Sequence, residues 1–178
     1  KKYQNRSKYI PAIEDKKQVN LEDLKAQFIT KEDYVKAHQN TIIVCADVMI
    51  WYNDGFLLVK RDNVPALGEL WPIGGRIQRG ISMEENVRDK VKSECNLDLD
   101  RLVLLNVGRT SFKTDPFNHG KGTDTINFMY LAEGIGEIKL DNLHSKPTIV
   151  TQEIFNKIKS SLHPYVVDFM ETAFKSRI

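Results

Sequence analysis

Gly74-Gly-Arg-Ile-Gln-Arg-Gly-Ile-Ser-Met-Glu-Glu-Asn-Val-Arg-Asp-Lys-Val-Lys-Ser-Glu-Cys-Asn-Leu97 reads as the end of a strand, a glycine-bearing loop and a helix of about thirteen residues. Ser82 is placed to cap that helix and Asn96 to end it. At about 100° per residue, Met83, Val87, Val91 and Cys95 form one apolar stripe, and Glu94 falls inside it, about 20° from Met83. A carboxylate on the core-facing stripe is expensive to bury alone, so Glu94 needs a cation. Two candidates exist: a metal ion, or Lys90 one turn back on the same face.

Upstream, Ile42 to Trp51 is strand-like apart from Asp47. Asn53-Asp54-Gly55 is a hairpin turn and Phe56-Leu57-Leu58-Val59 the return strand. A loop with Pro65 and Gly68 leads to Leu70-Trp71-Pro72-Ile73 and the double glycine. Before the hairpin, the sequence predicts a short helix over residues 20–29 and a second one begun by Thr30-Lys-Glu-Asp33 and ended near Asn40. Downstream, strands are expected at Leu102 to Val107 and Asp124 to Leu131. A polar loop separates them between Lys113 and Gly122, and two closing helices follow at Thr151 to Ile158 and Pro164 to Phe174. The alternation is that of an α/β fold.

Composition narrows the function. With 178 residues, the chain has the length of one domain with an extension, and 41% hydrophobic and 28% charged residues are globular values. Twenty-six basic against 24 acidic residues leave a net charge of +2, so nucleic acid is not an expected partner. No apolar run has the length of a membrane span, and no membrane association is expected. Cys45 and Cys95 lie in apolar runs, forming neither a disulfide framework nor a zinc pattern, which fits a cytoplasmic protein.

The Gly74 to Leu97 segment resembles the Nudix box, the signature of a family of mostly metal-dependent hydrolases of nucleoside diphosphates linked to another group. Gly75 takes its first glycine, Glu94 its last acid and Leu97 its final apolar position. Ile81, Lys90 and Ser93 stand where the family has further acids, Asp89 where it has arginine, and Asn96 where it has its second glycine. Lys60-Arg61-Asp62-Asn63-Val64-Pro65-Ala66-Leu67-Gly68, followed by Trp71-Pro72-Ile73-Gly74-Gly75-Arg76-Ile77-Gln78, is similar to the GDP-mannose mannosyl hydrolase branch, known for a degraded box. The resemblance runs from about Glu32 to Glu153.

That resemblance implies an α/β/α sandwich around a mixed β-sheet, placed here over residues 31–178. It leaves residues 1–30 as an unexplained N-terminal extension, an arm that could reach a second copy in a homodimer. It implies water attack at the sugar anomeric carbon of a nucleotide sugar, releasing nucleoside diphosphate and sugar. His144 takes the general-base position, Asp47 faces the developing charge at the sugar, and Arg61 and Arg76 hold the diphosphate, Arg76 with a catalytic part in its departure. One magnesium ion would be held by the Gly74 carbonyl and Glu94. Leu143 stands where the branch has a glutamine ligand. The Asp115 to Asp124 loop suggests closure of Lys121 on a phosphate, whereas His119 there reads as a solvated loop residue, and His38 and His163 receive no role. Two other readings stay open: a nucleotide-binding or regulatory module, favoured by Lys90 and Leu143, and an ordinary nucleotide pyrophosphohydrolase.

Overall fold

The computed structural model describes residues 13–14, 17–18, 21–25 and 29–176. In chain order the elements are β1 (Ile13–Glu14), β2 (Lys17–Gln18), a 3-10 turn (Leu21–Leu24), α1 (Lys31–Asn40), β3 (Ile43–Tyr52), β4 (Gly55–Arg61), β5 (Leu70–Trp71) and β6 (Ile73–Arg76). There follow α2 (Met83–Cys95), β7 (Asp98–Phe112), β8 (Thr123–Ile135), β9 (His144–Val150), α3 (Gln152–Ile158), a 3-10 turn (Lys159–Ser161) and α4 (Pro164–Ser176). The capping signals act as their chemistry requires: Thr30, Ser82 and Thr151 each accept a backbone N–H of their own helix's first turn. Asn96 ends α2 in the left-handed conformation, φ 63°.

The β3–β4 hairpin turns on Asn53 and Asp54, at φ 46° and 65°, which leaves Gly55 as the first residue of the return strand, opposite Tyr52. Glycine is needed there for a different reason. A Cβ at Gly55 would lie 2.7 Å from Ile149 Cγ2 and 2.8 Å from the Val150 carbonyl carbon, because β9 passes against it.

The main sheet has seven strands in the order β5-β4-β3-β8-β7, with β6 also paired to β3 and β9 to β4. The β3–β8 pair is parallel and every other pair antiparallel, so the sheet is mixed. Side-chain alternation along β3 sends Ala46, Val48 and Ile50 into a core with Val87, Val91 and Cys95 of α2. Met49 joins a second core with Phe155 of α3 and Val166, Phe169 and Met170 of α4. Helices cover both faces, an α/β/α sandwich. Among the described residues, no helix is long and apolar enough to cross a membrane.

Two expectations are corrected, and one strand is added. The helix expected over residues 20–29 is only a four-residue 3-10 turn in its described part, and residues 26–28 lie outside the described residues. The strands β7 and β8 are much longer than the apolar runs that announced them, because hydrogen-bonded pairing continues past them into polar residues. The segment before Thr151 is strand β9. Its Lys146 and Pro147 fall in the irregularity between the Leu58↔Thr148 and Lys60↔Ser145 pairs, where a residue without an N–H costs no ladder bond.

Candidate active site

The strand ladders place most of the site. Asp47 of β3 is opposite Gly74 of β6, and Arg76 is opposite Cys45. Across the β4–β9 pair, Arg61 is opposite His144. The α2 helix brings Glu94. Asp47, Arg61, Gly74, Arg76, Glu94 and His144 all line one cavity of about 350 Å³. The approach of β3 and β6 is so close that a Cβ on Gly74 would sit 2.1 Å from Asp47 Oδ1 and 2.5 Å from the Ala46 carbonyl oxygen. Only glycine fits beside that carboxylate.

Asp47 is buried, and the Tyr165 hydroxyl of α4 donates to its Oδ2 at 2.6 Å. Burial raises the carboxyl pKa from 3.8 to about 6, although the Tyr165 hydrogen bond and the Arg61 charge pull the other way. The same burial and the adjacent carboxylate hold the Tyr165 phenol far above its ordinary value, so it stays a donor. Arg61 Nε donates to the Pro65 carbonyl at 2.8 Å, which fixes the guanidinium at the cavity wall. Burial lowers its pKa, opposed by Asp47 and Glu94, but a guanidinium starts high enough to remain charged. The Arg76 guanidinium carbon lies 4.1 Å from the centre of the Tyr34 ring.

Glu94 points inward, as the helical arithmetic requires, and is 6% exposed. Its Oε1 meets Lys90 Nζ at 2.9 Å, while its Oε2 is buried with no hydrogen-bond partner. An orphaned carboxylate oxygen is the feature a cation would satisfy, and Gly74 lines the same cavity. Among the described residues, no group of three or more His, Cys, Asp or Glu side chains is placed to hold a metal. Glu94 Oε2 would be a ligand to a single magnesium ion rather than to a cluster, and Gly74, the other expected ligand, lines the same cavity.

His144 is the first residue of β9 and is buried. Its Nδ1 donates to Asp141 Oδ1 at 2.7 Å, which places the lone pair on Nε2, 4.0 Å from Glu94 Oε2. Asp141 was missed by the sequence reading. Its oxygen also accepts the Leu143 N–H at 2.9 Å, a local turn that an Asp three residues before the histidine could have signalled.

The β7–β8 loop is built differently from its expectation. Asp115 is buried and accepts the N–H groups of Phe117, His119 and Gly120 at 2.9 to 3.0 Å. The His119 side chain is 3% exposed and bonded to His38, rather than solvated. Lys121 is exposed and is not among the residues lining the cavity. Tyr34 and His38 of α1 do line it.

The Lys90–Glu94 pair yields a test of its own. Lys90→Met strands the Glu94 charge, but the lysine side chain is 34% exposed. Water therefore tempers the loss, expected at about 1–2 kcal/mol rather than the larger cost of a fully buried pair. The measurement is the urea unfolding midpoint at pH 7.5, repeated with excess magnesium. An ion at Oε2 should recover part of the loss, whereas Glu94→Gln should show no magnesium response.

No protein-family model matches the chain, and no curated protein matches it in sequence. Its fold is nevertheless that of solved structures. It is similar to the NUDIX domain of Shewanella oneidensis NrtR complexed with ADP ribose, at 17% identity over 84% of this chain and 100% of that one, TM-score 0.62. A NUDIX hydrolase from Nitrosomonas europaea gives 18% identity over 77% and 91%, TM-score 0.61. The MutT NUDIX hydrolase from Burkholderia pseudomallei gives 20% identity over 75% and 98%, TM-score 0.58. The chain therefore has the Nudix fold.

Proposed function

We propose that this protein hydrolyses nucleoside diphosphate sugars of the GDP-mannose kind, delivering water to the sugar anomeric carbon. The observation that carries the reading is the convergence of His144, Asp47, Arg61, Arg76 and Glu94, from five different elements, on one cavity. His144 is oriented by Asp141 and accepts a water proton at Nε2. The new bond joins that oxygen to C1. The C1–O bond breaks, and its electron pair leaves on the diphosphate, held by Arg61 and Arg76. Asp47 faces the positive charge that grows on the sugar. The imidazolium formed lies between the Asp141 and Glu94 carboxylates, which stabilise it. Bound magnesium would offset charge on the diphosphate as it departs.

Attack at carbon, instead of phosphorus, is favoured because Ile81, Lys90 and Ser93 stand where water-activating acids would be needed. The test is incubation with a panel of nucleoside diphosphate sugars in oxygen-18 water, scoring the label separately in sugar and nucleotide. A second reading, a nucleotide-binding module without turnover, is favoured by the Lys90 ion pair on Glu94. The NUDIX domain of NrtR, solved complexed with ADP ribose, supports a nucleotide ligand in either reading. Tight nucleotide binding without release of sugar would select it.

A further inference from the structure

Tyr34 and His38 of α1 and Pro116 of the β7–β8 loop line the cavity on the β8 side of β3, opposite the β4–β9 side that carries His144. Tyr34 and His38, one turn apart, pack edge-on against Phe117 with ring centres 5.2 and 5.3 Å away. His38 is only 7% exposed, and its Nδ1 lies 2.8 Å from His119 Nε2. Which nitrogen carries each proton follows from the far side of His119, where the Lys121 N–H donates to Nδ1 at 3.1 Å. Nδ1 is therefore an acceptor, and the proton of His119 is on Nε2, donated to His38. The alternative, Nδ1–H toward Asp115, has a separation of 3.4 Å, and the Asp115 oxygens already take three backbone N–H groups. Protonating His119 leaves its Nε2–H donating as before. In either state His38 accepts at Nδ1 and carries its own proton on Nε2. Burial, together with the neighbouring His119, lowers the His38 pKa, against the Asp115 charge, and so favours the neutral ring that this geometry describes. Among the described residues Nε2 has no protein partner, and His38 lines the cavity.

We infer that His38 is a specificity residue, whose Nε2–H is a fixed donor to a lone-pair acceptor on the nucleobase of the bound nucleotide. The inference rests on the proposed function for the class of ligand. His144 and Arg61 face each other across β4–β9, and Arg76 stands over Tyr34, next along α1 to His38. With the sugar at His144 and the diphosphate between the arginines, the base is the part of the ligand that reaches the aromatic wall. A hydroxyl there could turn to donate or accept. A locked imidazole only donates, so it accepts a ring nitrogen or carbonyl and rejects an amino group.

The experiment compares His38→Asn with His38→Gln in the full chain, because the glutamine amide can reach the place of Nε2 and the shorter asparagine amide cannot. Calorimetric titration uses GDP and, separately, inorganic pyrophosphate. His38→Asn should weaken GDP about tenfold, His38→Gln less than about threefold, and neither should change pyrophosphate binding. Nitrogen-15 histidine spectra of the wild type between about pH 6 and 8 should place the His38 proton on Nε2. Unchanged GDP affinity in His38→Asn, equal losses for GDP and pyrophosphate, or a proton on Nδ1 would each overturn the assignment. If the wild type binds GDP but hydrolyses no sugar nucleotide, the hydrolytic reading fails and this one stands. If it binds no GDP, this one fails.

Discussion

Hydrolysis of GDP-mannose in oxygen-18 water is expected to put the label on C1 of the released sugar, and His144→Ala to slow that release by roughly a hundredfold or more. The size follows from the geometry. His144 is locked by Asp141 at 2.7 Å, and Glu94 is too far from its Nε2, at 4.0 Å, to occupy the lone pair by hydrogen bonding. Losing the imidazole removes the base, whereas Asp141→Asn should keep the ring but loosen its orientation and weaken the stabilisation of the imidazolium, a smaller loss. A single displacement by one activated water also requires inverted configuration at C1. Label in the nucleotide phosphate would refute attack at carbon, and retained configuration would refute the single step.

The second large effect has opposite signs for stability and activity. Asp47→Asn should nearly abolish turnover while stabilising the protein at pH 8. The rise of its pKa from 3.8 to about 6 means that the ionised carboxylate opposes folding, by on the order of 3 kcal/mol above pH 6. Because the folded-state value is the higher one, the stabilising contribution of the protonated carboxyl is full below about pH 4. It is lost as pH rises through about 6. Urea unfolding should therefore show Asp47→Asn more stable than wild type at pH 8, with the advantage vanishing near pH 4. Equal stability at pH 8 would contradict the burial of this charge. Tyr165→Phe removes a hydrogen bond that favours the charged form, so carbon-13 titration of Asp47 should move to higher pH.

The parts of this site that local sequence disclosed are those fixed by local geometry. Ser82, the apolar stripe and Asn96 defined α2, and the 100° rotation per residue put Glu94 on its inner face before any fold was known. Asp47 was recognisable as a polar break in a strand. Its partner Tyr165 is 118 positions away, beyond the stretch that carried the family resemblance, and no periodicity links the two. His38 and His119 meet across 81 positions by the docking of a helix on a loop, so each looked idle by itself. The Pro147-containing strand was hidden because its pairing tolerates a bulge that its composition argued against.

The two ends of the cavity are built by different means, and this bears on how such a protein can change. Asp47, Gly74, Arg76, Arg61 and His144 occupy fixed rungs of the sheet. Deleting one residue from these strands would turn every following side chain to the opposite face and dismantle the candidate site at once. The α1 and β7–β8 loop end is joined instead by contacts between side chains, chiefly Tyr34, His38, Phe117 and His119. Insertions and exchanges there leave the rungs untouched. On the proposed function, descendants of this chain would drift to new nucleotides while inheriting the same bond-breaking apparatus, and selectivity would diversify faster than chemistry.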